Sequence, residues 1–172
     1  MNLQYPIGPL NPSPTATPRE LAAHMKSIHT FAVRMEAIVQ RVTEEQLRTP
    51  YRDGGWKLYE LVHHCADSHL NAFTRFKIVL TEDEPTIRPY DQDAWVDMID
   101  VQPDNVGSSL SILLGLHERW SLVLHNLSES DLQRKWVHPD HDGTQNMVSL
   151  LGMYGWHCEH HLAQAHAVLT IC

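Results

Sequence analysis

Trp156-His157-Cys158-Glu159-His160-His161 lies inside a proline-free stretch, Met147 to Leu169, whose apolar residues recur at helical spacing. On a helix, residues four apart stand one turn above each other on the same face. His157 and His161 can therefore aim two imidazoles at one point. Their face also carries Leu150, Tyr154, Ala165 and Val168, which turns it toward a protein interior. Two imidazoles on such a stripe are costly without partners, and a shared metal ion supplies one. Hydrogen bonds to neighbouring polar groups are the competing account. His160 is rotated away from His161 and reads as a flanking residue.

Outward from this helix, three more emerge. The first runs from Pro18 to about Arg41, with Leu21, Met25, Ile28, Phe31, Met35 and Ile38 recurring every three or four residues. Pro18 is acceptable in a first turn because its missing amide would be unpaired there anyway. The second runs from about Lys57 to Leu80 and the third from Ser108 to Leu127. Thr43 with Gln46 forms a capping box that opens a short turn, and Ser128 can cap another around Asp131. Five of the ten prolines fall within residues 1–18, so that segment is an extended arm. Tyr51 to Trp56 is a loop broken by Gly54 and Gly55. Residues 81–103 carry Pro85, Pro89 and Pro103 and form a connection of a length expected only where it covers a site or crosses a bundle. Residues 136–146 form a further loop that can hold a short hairpin. Four helices and no series of strands predict an all-α four-helix bundle, one domain spanning 1–172, that is not simply up-and-down.

The bulk properties exclude several classes. Hydrophobic residues at 42% and charged residues at 20% fit a globular chain and not a disordered one. A net charge of −8 disfavours nucleic acid, which needs Lys and Arg to displace phosphate counterions. No apolar run approaches the ~18 residues of a membrane span, and no leader is visible. Cys65, Cys158 and Cys172 are an odd set without framework spacing, which predicts free thiols and a cytoplasmic location.

Thirteen histidines are the main compositional signal. His24, His29, His117 and His125 stand singly in helical patterns and read as packing or solvated residues. The second helix holds His63-His64-Cys65-Ala66-Asp67-Ser68-His69. His64 shares a stripe with Glu60, Asp67, Ser68, Asn71 and Arg75, either a solvated face or the lining of a polar site. Periodicity alone leaves His63, His64 and His69 open as partners of the last helix. The His-Glu-x-x-His pattern of zinc proteases is absent: Cys158 occupies the place of the general base, and Glu159 stands one residue too late.

The chain resembles the DinB/YfiT-like superfamily, and within it the YfiT branch of metal-dependent hydrolases. The resemblance rests on Tyr5 to Gly8, Pro50 to Trp56, His63 to His69, Arg75 to Lys77, Thr81 to Asp83, Arg88 to Asp91, Trp95, His138 to Asp140 and Trp156 to Ala163, in the expected order over nearly the whole chain. It implies a four-helix bundle with one crossover connection and one divalent metal ion held by three histidines. The family's His-hydrophobic-Ala-Asp pattern falls on His64-Cys65-Ala66-Asp67, which selects His64 beside His157 and His161. Cys65 and Cys158 each follow a proposed ligand directly and should turn away as buried thiols. Zinc or nickel, a homodimer and a small-molecule substrate are further implications. Several branches of the superfamily are thiol S-transferases or thiol-dependent isomerases, so a transferase using a low-molecular-weight thiol is the alternative activity. A stress-induced metal or ligand binder without turnover is the other alternative.

Three neutral imidazoles leave a divalent ion with open positions, the arrangement of catalytic sites. Such an ion can acidify water toward ~7 for hydrolysis or hold a cofactor as thiolate. Asp67 and Glu159 are the nearest acids for orienting an imidazole or moving a proton, against a reading as surface carboxylates. Arg88, Tyr90 and Asp91 are expected in a loop over the pocket, recognising an anionic or thiol-bearing ligand. Structural capping by Pro89 and Trp95 competes with that role, and Trp120 reads as core.

Overall fold

Thr17 starts the first long helix in the way its sequence invites. Its hydroxyl accepts the Glu20 amide while the Glu20 carboxylate accepts the Thr17 amide, and Pro18 follows in the first turn. The computed structural model describes residues 2–139 and 143–170. In chain order the helices are α1 (Pro18–Val39), α2 (Glu44–Leu47), α3 (Leu58–Thr81), α4 (Gln92–Val96), α5 (Val106–His125), α6 (Glu129–Leu132) and α7 (Met147–Val168). The expected reciprocal cap at Thr43 and Gln46 opens α2, and Ser128 with Asp131 opens α6 in the same way. The third long helix begins two residues before the expected Ser108, because Pro103–Asn105 forms a 3-10 turn that runs straight into it. The loop before α7 does hold a hairpin, β1 (Lys135–Val137) against β2 (Thr144–Asn146), with Trp136 opposite Gln145. Asp140, His141 and Asp142 of that loop lie outside the described residues, as does Cys172.

The four long helices pack in a ring in which α1 touches α7 and α5, and α3 touches α5 and α7. Consecutive members α1 and α3 therefore stand diagonally, as do α5 and α7. Contacts fix the directions. His63 meets Ser109 and His69 meets His117, so α3 and α5 run parallel. His64 and His157, and then Arg75 and Tyr154, meet in the reverse order, so α3 and α7 are antiparallel. A parallel pair of sequential helices requires the chain to travel back along the bundle, and the segment between Thr81 and Pro103 does so. It is the crossover. Its α4 packs on α3, its Ile87 amide donates to the Val137 carbonyl, and Arg134 donates to the Val79 and Glu82 carbonyls at its start.

The core fills the ring with Ile28, Phe31, Met35, Leu61, Phe76, Leu113, Trp120, Leu124 and Leu150, all essentially inaccessible. Phe76, Trp120 and Tyr154 meet edge to face, a geometry that favours aromatic pairs. Cys65 and Cys158 are buried thiols, and burial pushes both above the ordinary thiol range. Close approach of α1 to α7 depends on Gly155, where a methyl group would lie 2.5–2.8 Å from the His24 ring and its Cβ. The N-terminal arm is irregular and lies along α7. Trp156 donates to the Gly8 carbonyl, Gln164 to the Gln4 carbonyl and Asn146 to the Pro14 carbonyl. Only the arm's first residues, Gln4 and Tyr5, reach the end of the bundle where α3 begins and α7 finishes.

Candidate metal centre

Three histidines of α3 point three ways. His63 is fastened to the end of the crossover: its Nε2–H donates to the Gln102 carbonyl at 2.9 Å, and its Nδ1 bonds the Ser109 hydroxyl at 2.8 Å. His69 turns into the interior and is fully inaccessible. His64 faces α7, with its ring 4.5 Å from that of Trp56, 5.0 Å from His161 and 5.5 Å from His157. Along the stripe around His64, Ser68 is buried and Glu60, Asp67, Asn71 and Arg75 are partly buried. One nitrogen from each of His64, His157 and His161 lies within 4.8 Å of the other two. The structure thus brings together the three residues expected to hold a metal.

The pair on α7 is closer still, with Nε2 atoms 3.1 Å apart. His161 Nδ1 lies 2.8 Å from Gln164 Oε1. The Gln164 amide cannot be turned over without losing the bond from its Nε2 to the Gln4 carbonyl at 3.3 Å. Its Oε1 therefore accepts, His161 carries its proton on Nδ1, and the Nε2 lone pair of the neutral ring points at His157 and His64.

Charge state follows from burial. His64 is pushed down to about 4, mainly by burial and secondarily by His160. Burial likewise drives His157 and His161 well below the ordinary histidine range, with the neighbouring imidazoles adding to the effect. At neutral pH all three rings are uncharged lone-pair donors. Imidazole nitrogens bound to one tetrahedral ion at 2.0–2.1 Å stand about 3.3–3.4 Å apart, close to the spacing of the α7 pair. That spacing suits either a proton held between the two Nε2 atoms or a cation bound by both. The donor set fits a divalent metal.

The site opens into a cleft of about 440 Å³. Gln4 and Tyr5 of the arm form one wall, Tyr51, Arg52 and Trp56 of the glycine loop another, and Gln92 and Asp93 of α4 the rim. Trp156 and His160 complete it, their rings stacked at 4.3 Å, with the buried His160 Nδ1 lacking a hydrogen-bond partner among the described residues. A Cβ on Gly55 would sit 2.8 Å from Arg52 Cγ and 3.1 Å from the Tyr51 ring. Glycine there lets the loop fold both side chains back over it. Arg52 donates to the Asp53 carbonyl and rests over the Tyr51 ring. Among the described residues its buried Nε has no partner, and no carboxylate pairs with it. A positive charge is thus held at the cleft.

The other expected site residues lie outside the cleft lining, although Tyr90 bonds Ser68, whose hydroxyl is 3.4 Å from His157 Nε2. Glu159 turns toward α1 and accepts from both terminal guanidinium nitrogens of Arg34, at 2.6 and 3.0 Å. Asp67 is half-buried outside the cleft lining, raised above the usual carboxylate range by burial and by Asp100. Tyr90 packs on Trp95 at 4.5 Å, and burial pushes its hydroxyl up to about 12. Arg88 offers its carbonyl to Arg75, its side chain exposed. Asp91 caps α4 by accepting the Ala94 amide. The crossover reaches the cleft through the next two residues, Gln92 and Asp93. Reading the arm and the glycine loop only as punctuation hides Tyr5, Arg52 and Trp56. The signal available was aromatic and cationic residues set in segments with no helical stripe of their own.

A bundle with one crossover and three convergent histidines from two antiparallel helices defines the structural class. Residues 27–165 match the DinB superfamily, and the chain belongs to that family. It is 39% identical to YfiT of Bacillus subtilis (strain 168) over 163 residues, 95% of this chain and 92% of the relative. A Bacillus pumilus (strain SAFR-032) relative, whose name also refers to metal-dependent hydrolysis, is 41% identical over 162 residues, covering 94% and 92%. The solved structure of YfiT from Bacillus subtilis, described as a probable metal-dependent hydrolase with an unusual four-helix bundle topology, superposes with a TM-score of 0.92. It is 37% identical, with 99% of this chain and 98% of that one covered.

Proposed function

We propose that this protein is a metal-dependent hydrolase of small molecules. The observation that carries the reading is the convergence of three neutral, desolvated imidazoles at one end of an open cleft. His64, His157 and His161 would hold the ion, with zinc or nickel the metals that suit three nitrogen ligands. A divalent ion bound there supplies the Lewis acidity that makes water a nucleophile at neutral pH. The activity in the YfiT description supports the same reading.

The chain's own residues divide the remaining work. Trp56, Tyr5 and Trp156 give the cleft flat aromatic walls, and Arg52 suits an anionic substituent on the substrate. Asp93, the carboxylate among the described residues that lines the cleft, is our candidate to take a proton from attacking water, ahead of Asp67 and of Glu159 in its pairing with Arg34. Arg88, Tyr90 and Asp91 act as the support of that rim. The working form is read as a cytoplasmic homodimer, on the family resemblance and the free thiols; light scattering of the purified protein checks the first.

Metal analysis followed by a turnover panel of esters, amides and electrophiles, run with and without low-molecular-weight thiols, tests the function. Hydrolysis that needs metal and is lost in His161→Ala is the expected result. Turnover only with added thiol replaces hydrolysis by thiol transfer, and stoichiometric metal with no turnover leaves a metal binder.

A further inference from the structure

Behind the cleft a row of imidazoles runs through the bundle from α7 to α1. His157 Nδ1 lies 3.0 Å from His69 Nε2. His69 Nδ1 lies 2.8 Å from His117 Nε2, and His117 Nδ1 lies 2.6 Å from the Ile28 carbonyl oxygen. The row has a direction, and its far end sets it. A carbonyl can only accept, so His117 carries a proton on Nδ1. Its ring is sealed between Phe31, 5.3 Å away and nearly parallel, and Trp120 at 5.5 Å. No carboxylate hydrogen-bonds to His117 or His69 among the described residues. An uncompensated charge there would be costly, and burial holds the His117 pKa down at about 4. A neutral His117 protonated on Nδ1 must accept on Nε2, so His69 donates from Nδ1. The neutral His69 then accepts on Nε2, and His157 donates from Nδ1.

We infer that His69 and His117 are positioning residues that transmit the polarity of the Ile28 carbonyl to His157, fixing its tautomer so that the Nε2 lone pair faces His64 and His161. Gln164 does the same for His161 in one step. Both α7 imidazoles therefore present unprotonated Nε2 atoms to the same point before any ion arrives. Without the row, a neutral His157 could place its proton on Nε2 and donate it to His161 across the 3.1 Å gap, closing the site with a hydrogen bond. Groups that fix the ring and tautomer of a ligand histidine commonly contribute 10- to 100-fold in metal affinity.

The proposal rests on the metal reading above, yet its tautomer statement is measurable without metal. Long-range proton–nitrogen NMR of histidine-labelled, metal-free protein at neutral pH should show Nδ1 as the protonated nitrogen in His157, His69 and His117, with each Nε2 bare. Protonation of His157 on Nε2, or of both His117 nitrogens, would overturn it. Zinc affinity by competition with a chromophoric chelator gives the second readout. His69→Gln keeps a side-chain oxygen able to accept from His157, whereas His69→Phe keeps an aromatic ring against Phe31, 4.6 Å away, and removes the acceptor. We expect His69→Phe to weaken zinc binding about 10- to 100-fold, His69→Gln to restore most of it, and His117→Phe to fall between. A purely structural role predicts the reverse order, Phe tolerated and Gln disruptive, and that order would contradict the relay. If the wild type binds neither zinc nor nickel, the proposed function falls, and the tautomer measurement still decides the row.

Discussion

The cleft histidines and the row behind them are built from the same residue in the same bundle, and they differ in how their nitrogens are used. In the row, both nitrogens of His69 and both of His117 end on protein partners. In the cleft, His161 spends Nδ1 on Gln164 and His157 spends Nδ1 on His69, while their Nε2 atoms face each other, with the Ser68 hydroxyl 3.4 Å from that of His157. His63 makes the contrast sharpest. It adjoins His64 in sequence and is equally buried, yet Gln102 and Ser109 satisfy it completely. His63, with both nitrogens on fixed protein partners, reads as architecture, whereas His157 and His161 turn one nitrogen each toward the other and toward His64.

The largest expected effect lies on the cleft side. His161→Ala should abolish stoichiometric metal uptake, measured by elemental analysis after dialysis, while His63→Ala retains it. Retention by both would erase the distinction. On the row side the principal cost is to folding. Phe31→Ala removes the ring that packs against both His69 and His117 and should destabilise the protein by about 3–5 kcal/mol in urea unfolding.

Acid provides a graded test. His64, His117 and His160 have folded values near 4 against an ordinary 6.5, and burial likewise holds His69, His157 and His161 well below that ordinary value. Between pH 6.5 and about 4 the unfolded chain binds protons that the native state refuses, so native stability must fall as pH falls through this window. Above it the penalty is absent. Metal-free protein should show a thermal midpoint that drops steadily from pH 7 to pH 4, and a flat profile would mean that the rings are accessible to protons in the folded state. The smallest effect is expected at Glu159→Gln. Its pair with Arg34 is about 40% exposed on both sides, so stability should change by less than about 1 kcal/mol. Turnover and metal content should not change. A large loss of turnover at full metal occupancy would return Glu159 to the reaction.

What the sequence discloses and what it hides follow from the range of the interactions. Helix starts at Thr43 and Ser128 depend on residues three apart, and the His157–His161 pair on residues four apart, so local spacing is enough to find them. Separation of His63, His64 and His69 depends on partners far along the chain, among them Gln102, Ser109, His117 and His157. No periodicity within one helix encodes those meetings; family resemblance selected His64, and the packing shows why the other two are committed elsewhere. Arg52, Trp56 and Tyr5 were hidden for the same reason, since a loop and an arm become a cleft wall only once α3 and α7 are side by side. The crossover was legible as a long connection, but α4 within it was not, because its five residues carry too little pattern to declare a helix.

The most direct test of the account is an anomalous-diffraction map of crystals grown from zinc-loaded protein. One peak per chain, ligated by His64 and by Nε2 of His157 and His161, is the predicted result. A peak ligated by His63 or His69, or zinc bound with full occupancy away from these three imidazoles, would contradict it.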